Sequence, residues 1–459
     1  MKYVASSPLP VSVEDAFAYH ERPGALQRLV PPWESVEVER SDNSLAVGSE
    51  VVLKTSAFGV PIRWVAQHTV YEPPRLFADT QLSGPFAQWR HRHQFETVGE
   101  HSSLTDEIGF EVPFGAIGSL LGSKIALGKI ESMFAYRHRV TRDDLTLQAD
   151  HPLGLKRVAI SGSTGLVGKQ LGALLTLLGH EVIPIVRKAS GDAGSGPGTI
   201  AAWSGEAEKL ADADVVVHLA GKPIASGRWT DETKRQIRES RVQKTRSLCE
   251  SLAKLDPRPQ VLICASATGI YGSRGGELLD ESSDLGDDFL ADVAREWESA
   301  CQPAVDAGIR VVNARFGLVL SPKGGALQKM LTPAKFAGGS LGNGRQWWSW
   351  IALDDVLGAI YHAIAESSLS GPVNFVSSDP ITNAGFAKTL GSVIGRPALF
   401  PAPAFALRAA MGEMADALLL SSTRVKPSKL TESGYRFRFN DLTQFLKYSL
   451  GREKLESTE

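Results

Sequence analysis

The sequence predicts a multidomain protein. An α+β unit, a curved antiparallel sheet closed by a long helix, precedes a doubly wound parallel α/β sheet with a small, mainly helical lobe at its end. Three observations carry this prediction. The first 148 residues alternate apolar and polar side chains with period two, as half-buried strands do. From Lys156 onward apolar runs alternate with amphipathic helical stretches, the pattern of a parallel sheet covered on both faces. Between the first such run and its helix stands a turn with glycines at 162, 165 and 168. At 459 residues the chain exceeds one ordinary core. It divides into a front unit at 1–148, a linker at 149–155, an α/β domain at 156–396 and a helical tail at 397–459.

In the front unit a strand runs from Ile62 to Tyr71 and ends at Pro73 and Pro74. Trp89, His91, His93 and Phe95 share one strand face, and Leu104, Asp106, Ile108 and Phe110 share another. Turn-like residues 98–103 join the two as a hairpin. After Pro113 the period becomes helical, with Leu120, Leu121 and Ile125, then Ile130, Met133 and Phe134, on one side. Gly118, Gly122 and Gly128 each weaken that helix by about 1 kcal/mol relative to alanine, so tertiary packing must hold it.

In the second unit the run ending at Ser161 is a buried strand, and Leu171, Leu174, Leu175 and Leu178 follow at helical spacing before Gly179. Further strands are expected at 181–186, 215–218, 261–265 and 310–313, a mobile loop at 189–199, and one charged helix over 231–255. The tail, nearly all helix-forming from Phe405 to Leu420, reads as a small appended unit.

Bulk properties narrow the partners. A formal charge of −2 leaves no basic excess for a phosphate backbone, so nucleic acid is not expected and a small-molecule substrate is. Cys249, Cys264 and Cys301 are widely spaced and suit a reducing compartment without a zinc pattern. The first 21 residues lack the apolar core of a signal peptide, and no apolar run is long enough to span a bilayer, so a cytoplasmic location is expected, with no membrane partner. The oligomeric state is left open, a homo-oligomer included.

The glycine turn, Gly162-Ser163-Thr164-Gly165-Leu166-Val167-Gly168, reads as a dinucleotide site. Glycines permit a tight turn and let backbone N–H groups approach a diphosphate that the helix N-terminus favours. Where an NAD-selective site would place an acid, the second strand is followed by Arg187 and Lys188, and a positive charge there suits the 2′-phosphate of NADP(H). Leu219, Ala220 and Gly221, then Ser266 and Thr268, open on the same carboxyl edge; the two hydroxyls are candidates for holding a substrate oxygen or capping backbone. Arg228, Arg241, Arg315 and Arg345 are candidates for an anionic substrate, cofactor phosphates or structural ion pairs. Trp347, Trp348 and Trp350 offer either an aromatic wall or a core corner.

Gly162 to Gly168, His218-Leu-Ala-Gly221 and Ser266-Ala-Thr-Gly-Ile-Tyr-Gly272 resemble an extended short-chain dehydrogenase/reductase with a Rossmann-like fold. More narrowly, Arg228-Trp-Thr230, Ser240-Arg241, Trp297-Glu298, Arg315-Phe-Gly317, Gly342-Asn-Gly-Arg345 and Trp350-Ile-Ala-Leu-Asp-Asp355 are similar to its atypical NADP-dependent, epimerase-like subgroup, also called a nucleoside-diphosphate sugar epimerase or cell-division inhibitor family. The parent superfamily implies a tyrosine and a lysine four residues apart. Residues 284–298, where that pair should fall, contain neither. Tyr271, the nearest phenol, is then the candidate proton donor, with packing beside the cofactor as its other reading. The front unit resembles the START-like, polyketide-cyclase-like helix-grip superfamily through Trp89 to Phe95 and Thr105-Asp106, which implies a cavity for an apolar ligand oriented by His91, His93 and Asp106. The two histidines also stand at strand spacing for a metal, but no third ligand is signalled and none is assigned. The resulting expectation is an NADP(H)-dependent oxidoreductase with an apolar-ligand-binding front domain. A nucleotide-sugar epimerase or dehydratase and a non-catalytic NADP(H)-responsive sensor are the alternatives.

Overall fold

Seven strands of the front unit pair antiparallel: β1 (Lys2–Leu9), β2 (Glu37–Ser41), β3 (Glu50–Ala57), β4 (Val60–Glu72), β5 (Leu76–Ser83), β6 (Gln88–Val98) and β7 (His101–Glu111). Their spatial order is β1-β7-β6-β5-β4-β3-β2. The computed structural model describes residues 1–57, 60–113, 115–186, 207–225 and 227–453. One compact unit comprises Met1–Pro152 with Ala173–Gly179 and the segment from Lys447, and a second comprises Leu153–Gly172 and His180–Leu446.

The hairpin expected around residues 98–103 forms with Phe95 opposite Leu104 and His93 opposite Asp106. Trp89, Phe95, Leu104, Ile108 and Phe110 are all buried, so the alternating pattern selects the covered face. Helices α1 (Val13–Glu21) and α2 (Ala25–Leu29) follow β1, and α3 (Gly115–Asp150) closes the unit, its last turn extending into the expected linker. Ile130 and Phe134 of α3 are buried as expected, whereas Ile125 is half exposed; the side chains of Leu120 and Leu121 lie outside the described residues. Arg28 of α2 lies against Asp144 of α3, donating from Nε and Nη2 at 2.8 Å each, and Tyr19 donates to the same carboxylate at 2.8 Å. With both charged side chains almost fully buried, this triad locks three helices together.

The second unit holds a six-stranded sheet whose neighbouring strands all pair parallel. Its strands are β8 (Arg157–Ser161), β9 (Glu181–Ile185), β10 (Val215–His218), β11 (Val261–Ala267), Arg310–Phe316 and Gly371–Phe375. In space β8 lies between β9 and β10, with β11 and the later two strands beyond β10. The chain thus reverses its direction of growth at β8, and ligands of such sheets bind at the carboxyl edge of that switch. Helix α4 (Leu166–Leu177) follows β8, and Leu171, Leu174, Leu175 and Leu178 are buried as their spacing predicts.

One expectation is corrected. The charged helix over 231–255 is two helices, α5 (Asp231–Glu239) and α6 (Val242–Ala253). The break serves the loop after β10: Ser240 Oγ accepts from Lys222 N at 3.0 Å, and Arg241 donates to the Lys222 carbonyl at 3.0 Å. The tail, expected as a small helical unit, meets the α/β unit through short strands. Its helix Ala404–Met411 stops at Gly412, which has φ +64°, and its short strands Phe400–Ala402 and Arg424–Val425 pair with Gly338–Leu341 and Leu278–Leu279 of the α/β unit. Residues 189–199, expected as a loop, lie outside the described residues.

Candidate functional site

At the carboxyl end of β8, Gly162 takes φ +73°, and the N–H of Gly165 closes the turn onto the Gly162 carbonyl at 2.9 Å. A methyl group on Gly162 would lie 2.9 Å from the carbonyl carbon of Leu219; one on Gly168 would lie 2.3 Å from the Gly162 carbonyl oxygen. Glycine is therefore needed twice, once so that the turn can pack against the loop after β10 and once so that α4 can start beneath the turn. Thr164 and Gly165 are exposed, whereas Ser163 Oγ is buried without a hydrogen-bond partner among the described residues. An open backbone cradle at a helix N-terminus, with an unsatisfied hydroxyl inside it, fits a diphosphate. Leu219 and Ala220, half buried, and the exposed Gly221 form its neighbouring wall. Arg187 lies outside the described residues.

The expected catalytic hydroxyls separate. Strand register sets Ser266, Arg315 and Asn374 side by side across three strands. Ser266 Oγ donates to Glu298 Oε1 at 2.7 Å, and Arg315 grips both oxygens of Glu298 at 2.8 Å each. Arg315 also donates to the Tyr271 hydroxyl at 2.9 Å, which in turn donates to Asn374 Oδ1 at 2.8 Å. Burial pushes the Tyr271 phenol up from its ordinary value, with Arg315 opposing. Fully buried and hydrogen-bonded to protein on both sides, Tyr271 has no proton directed at a ligand. Thr268 is half buried just past β11, and its hydroxyl makes no hydrogen bond to the described residues. Glu298 and Asn374 were not legible as site residues, because only strand and helix placement brings them to Ser266.

Arg228 is tied to the carbonyls of Ala409 and Ala410, and Arg345 is exposed. Arg241 meets carbonyls rather than carboxylates among the described residues, and burial lowers its guanidinium to about 10. Trp348 and Trp350 are buried, as a core corner requires.

His218 at the end of β10 is buried between Ser161 Oγ at 2.6 Å and Thr245 Oγ1 at 3.1 Å, and burial lowers its pKa to about 4 from 6.5. Below pH 6.5 the unfolded chain takes up a proton that the folded chain refuses, so stability falls as pH drops and levels off below about 4. The expected loss is about 3 kcal/mol. Urea titrations from pH 7 to pH 4 should show it, and His218→Gln should flatten the slope; an unchanged slope would refute this origin.

The front unit contains a cavity of about 300 Å³ lined by residues of β2 to β6 and of α1, α2 and α3. Leu29, Leu53, Trp64, Phe77, Trp89 and Met133 make most of it apolar, while His20, His68, Asp79, His91, His93 and Arg137 give it a polar end. His91 and His93 therefore line a cavity rather than a solvated face. His91 Nε2 lies 3.3 Å from Asp106 Oδ1, and His138 Nε2 lies 2.9 Å from Asp106 Oδ2. His93 Nδ1 is 2.6 Å from Asp106 Oδ1 but off the direction of a good hydrogen bond. Burial opposes protonation of both cavity histidines; the carboxylates of Asp106 and Asp79 overcome it at His91, while the adjacent His91 charge lowers His93 further. The structure also corrects the expectation of no third ligand: Asp79 stands with His91 and His93, their ligating atoms all within 4.8 Å of one another.

Comparison with known proteins agrees with both units. Residues 158–375 match the NAD dependent epimerase/dehydratase family, 9–131 the polyketide cyclase/dehydrase and lipid transport family, and 402–448 a domain of unknown function. An epimerase family protein of Mycobacterium bovis is 40% identical over 296 residues, covering 64% of this chain and 98% of the relative. A Corynebacterium glutamicum structure described as a nucleoside-diphosphate sugar epimerase is 34% identical, covers 99% of this chain and 91% of its own, and has a TM-score of 0.80. The human epimerase family protein SDR39U1, solved with NADPH, is 32% identical over 64% of this chain and 99% of its own, with a TM-score of 0.59. A UDP-N-acetylglucosamine 4-epimerase of Bacillus cereus shares the fold alone, at 16% identity and a TM-score of 0.52. Among the described residues no helix is long and apolar enough to cross a membrane. A tight glycine turn opening α4, and an antiparallel sheet domain with a cavity earlier in the sequence, are thus found in a chain that belongs to the NAD-dependent epimerase family and carries an N-terminal polyketide-cyclase-type domain.

Proposed function

We propose that this protein is an NADP(H)-dependent oxidoreductase of the atypical extended short-chain class, with a front domain that binds an apolar small molecule. The cradle at Gly162 to Gly168 carries the reading: glycine is enforced there by backbone contacts, and the unpartnered Ser163 hydroxyl lies within it. The human relative's NADPH favours the phosphorylated cofactor, as do the charges expected of Arg187 and Lys188. When bound, the nicotinamide supplies hydride exchange. The amides of the turn would hold the diphosphate, Leu219 to Gly221 would wall it, and Arg241 would face anionic groups. Of the three hydroxyls expected at the edge, Thr268 is the one left to orient a substrate oxygen. Three free buried thiols suit a cytoplasmic setting.

The test is titration with NADPH and NADH, followed by turnover with apolar ketones and aldehydes. NADPH should bind more tightly, and Thr268→Val should lower kcat about 100-fold while changing stability by less than about 0.5 kcal/mol. Ser266→Ala should instead cost about 1–3 kcal/mol of stability, because its partner Glu298 is charged and largely buried. Failure to bind NADPH would overturn the reading. The commitment of Ser266 and Tyr271 to protein partners favours one second reading, a cofactor-responsive binding protein; NADPH binding without turnover of any carbonyl or sugar nucleotide would select it.

A further inference from the structure

We propose that the front cavity contains a binding site for a divalent transition-metal ion such as Zn²⁺, made by Asp79, His91 and His93. The inference rests on the front unit alone. His91 and His93 are two apart on β6 and so project from the same sheet face; β5 places Asp79 directly opposite His91. This register produces two imidazoles and one carboxylate in one patch of the cavity wall, with their ligating atoms within 4.8 Å of one another. His91 Nδ1 and Asp79 Oδ2 are 3.4 Å apart. Two donors about 2.0–2.1 Å from one ion at the tetrahedral angle lie roughly 3.3 Å apart, so this pair needs almost no movement to share an ion.

The groups behind the three residues strengthen the case. Ionised Asp106 accepts the Nε2 proton of His91, so the Nδ1 proton, which points toward Asp79 and the cavity, is the one that an incoming ion would displace. Asp106 is itself held by His138, and His138 by Ser7 at 2.9 Å. A carboxylate behind a ligating imidazole is the usual outer support of a metal site, fixing tautomer and ring orientation. An independent signal comes from the cavity's polar atoms. His68 Nδ1, Trp64 Nε1 and Arg137 Nε are buried without a hydrogen-bond partner among the described residues, as expected where a polar guest belongs. Two nitrogens and one oxygen suit a borderline ion rather than Mg²⁺ or Ca²⁺, which prefer oxygen. Three protein ligands leave a position facing the cavity, and Arg137 lines the same space. The guest that fits is an apolar molecule bearing a carbonyl or carboxylate oxygen, bound through the ion.

The test uses the full chain, stripped with a chelator, desalted, and titrated with Zn²⁺ alone or Co²⁺ alone. Expected are retention of one ion per chain by elemental analysis and the visible absorption bands of nitrogen- and oxygen-ligated Co²⁺. His93→Ala and Asp79→Ala should each weaken binding by more than 100-fold, and Asp106→Asn by about 10–100-fold. His101→Ala, at an exposed histidine on β7, should change nothing. Circular dichroism and thermal melting confirm that each variant is folded, and His93→Gln substitutes for any that is not. A folded wild type that retains no Zn²⁺ or Co²⁺ overturns the proposal, as does binding that survives His93→Ala and Asp79→Ala, or binding lost equally in His101→Ala. NADPH affinity is measured on the same samples, so loss of metal and failure of the nucleotide reading are told apart.

Discussion

Gly168→Ala should reduce NADPH affinity at least 100-fold and lower the melting temperature. The added carbon would lie 2.3 Å from the Gly162 carbonyl oxygen and 2.8 Å from Ser163 Cα, and both are backbone atoms that cannot rotate aside. The turn must open or α4 must shift, and a distortion costing about 3 kcal/mol corresponds to about 100-fold in affinity. Gly172→Ala, on the same helix, is the control. Its added carbon would meet only Val182 Cγ1, at 3.8 Å, so it should bind NADPH normally and be at least as stable. Fluorescence titration and thermal melting report both quantities. Wild-type NADPH affinity in Gly168→Ala would remove the structural basis of the nucleotide site.

Arg28→Met should destabilise the front unit by about 3–5 kcal/mol, because it strands a buried carboxylate. Asp144 has 0% side-chain exposure and Arg28 1%, so water cannot replace the lost partner. The two hydrogen bonds from Arg28 disappear, and the one from the Tyr19 hydroxyl remains. For a unit of this size the midpoint of thermal unfolding should drop by roughly 10 °C. Arg28→Met combined with Asp144→Leu should recover much of that loss, since an apolar pair of similar volume has no charge to desolvate. A single variant that melts with the wild type would show that the triad contributes little; a double variant no better than the single would show that packing rather than charge is at stake.

The features legible in the sequence are those fixed by local constraints. A left-handed residue at 162 and a close approach at 168 both demand glycine within seven positions, so the turn could be read without knowing its neighbours. The alternation through Trp89 to Phe95 likewise named a covered face. Features that depend on register were hidden. Nothing in the spacing of Asp79 and His91 says that β5 and β6 pair them, so the third ligand was invisible. The same holds for Arg315, read as an anion binder or a structural ion-pair partner but with no partner named; Glu298 and Tyr271 reach it from a helix and from the turn after β11. The 231–255 segment looked continuous because helical propensity does not reveal that Ser240 and Arg241 are drawn toward Lys222.

The row joining Ser266, Glu298, Arg315, Tyr271 and Asn374 constrains how this branch of the family can change over evolutionary time. A lone Glu298→Lys step would set two cations against each other with only 4% of the Arg315 side chain exposed to water. Such a lineage would have to cross a fitness valley before any benefit appeared. Positions 298 and 315 should therefore be exchanged as a pair among relatives, and directed evolution that randomises them one at a time should recover only the parent.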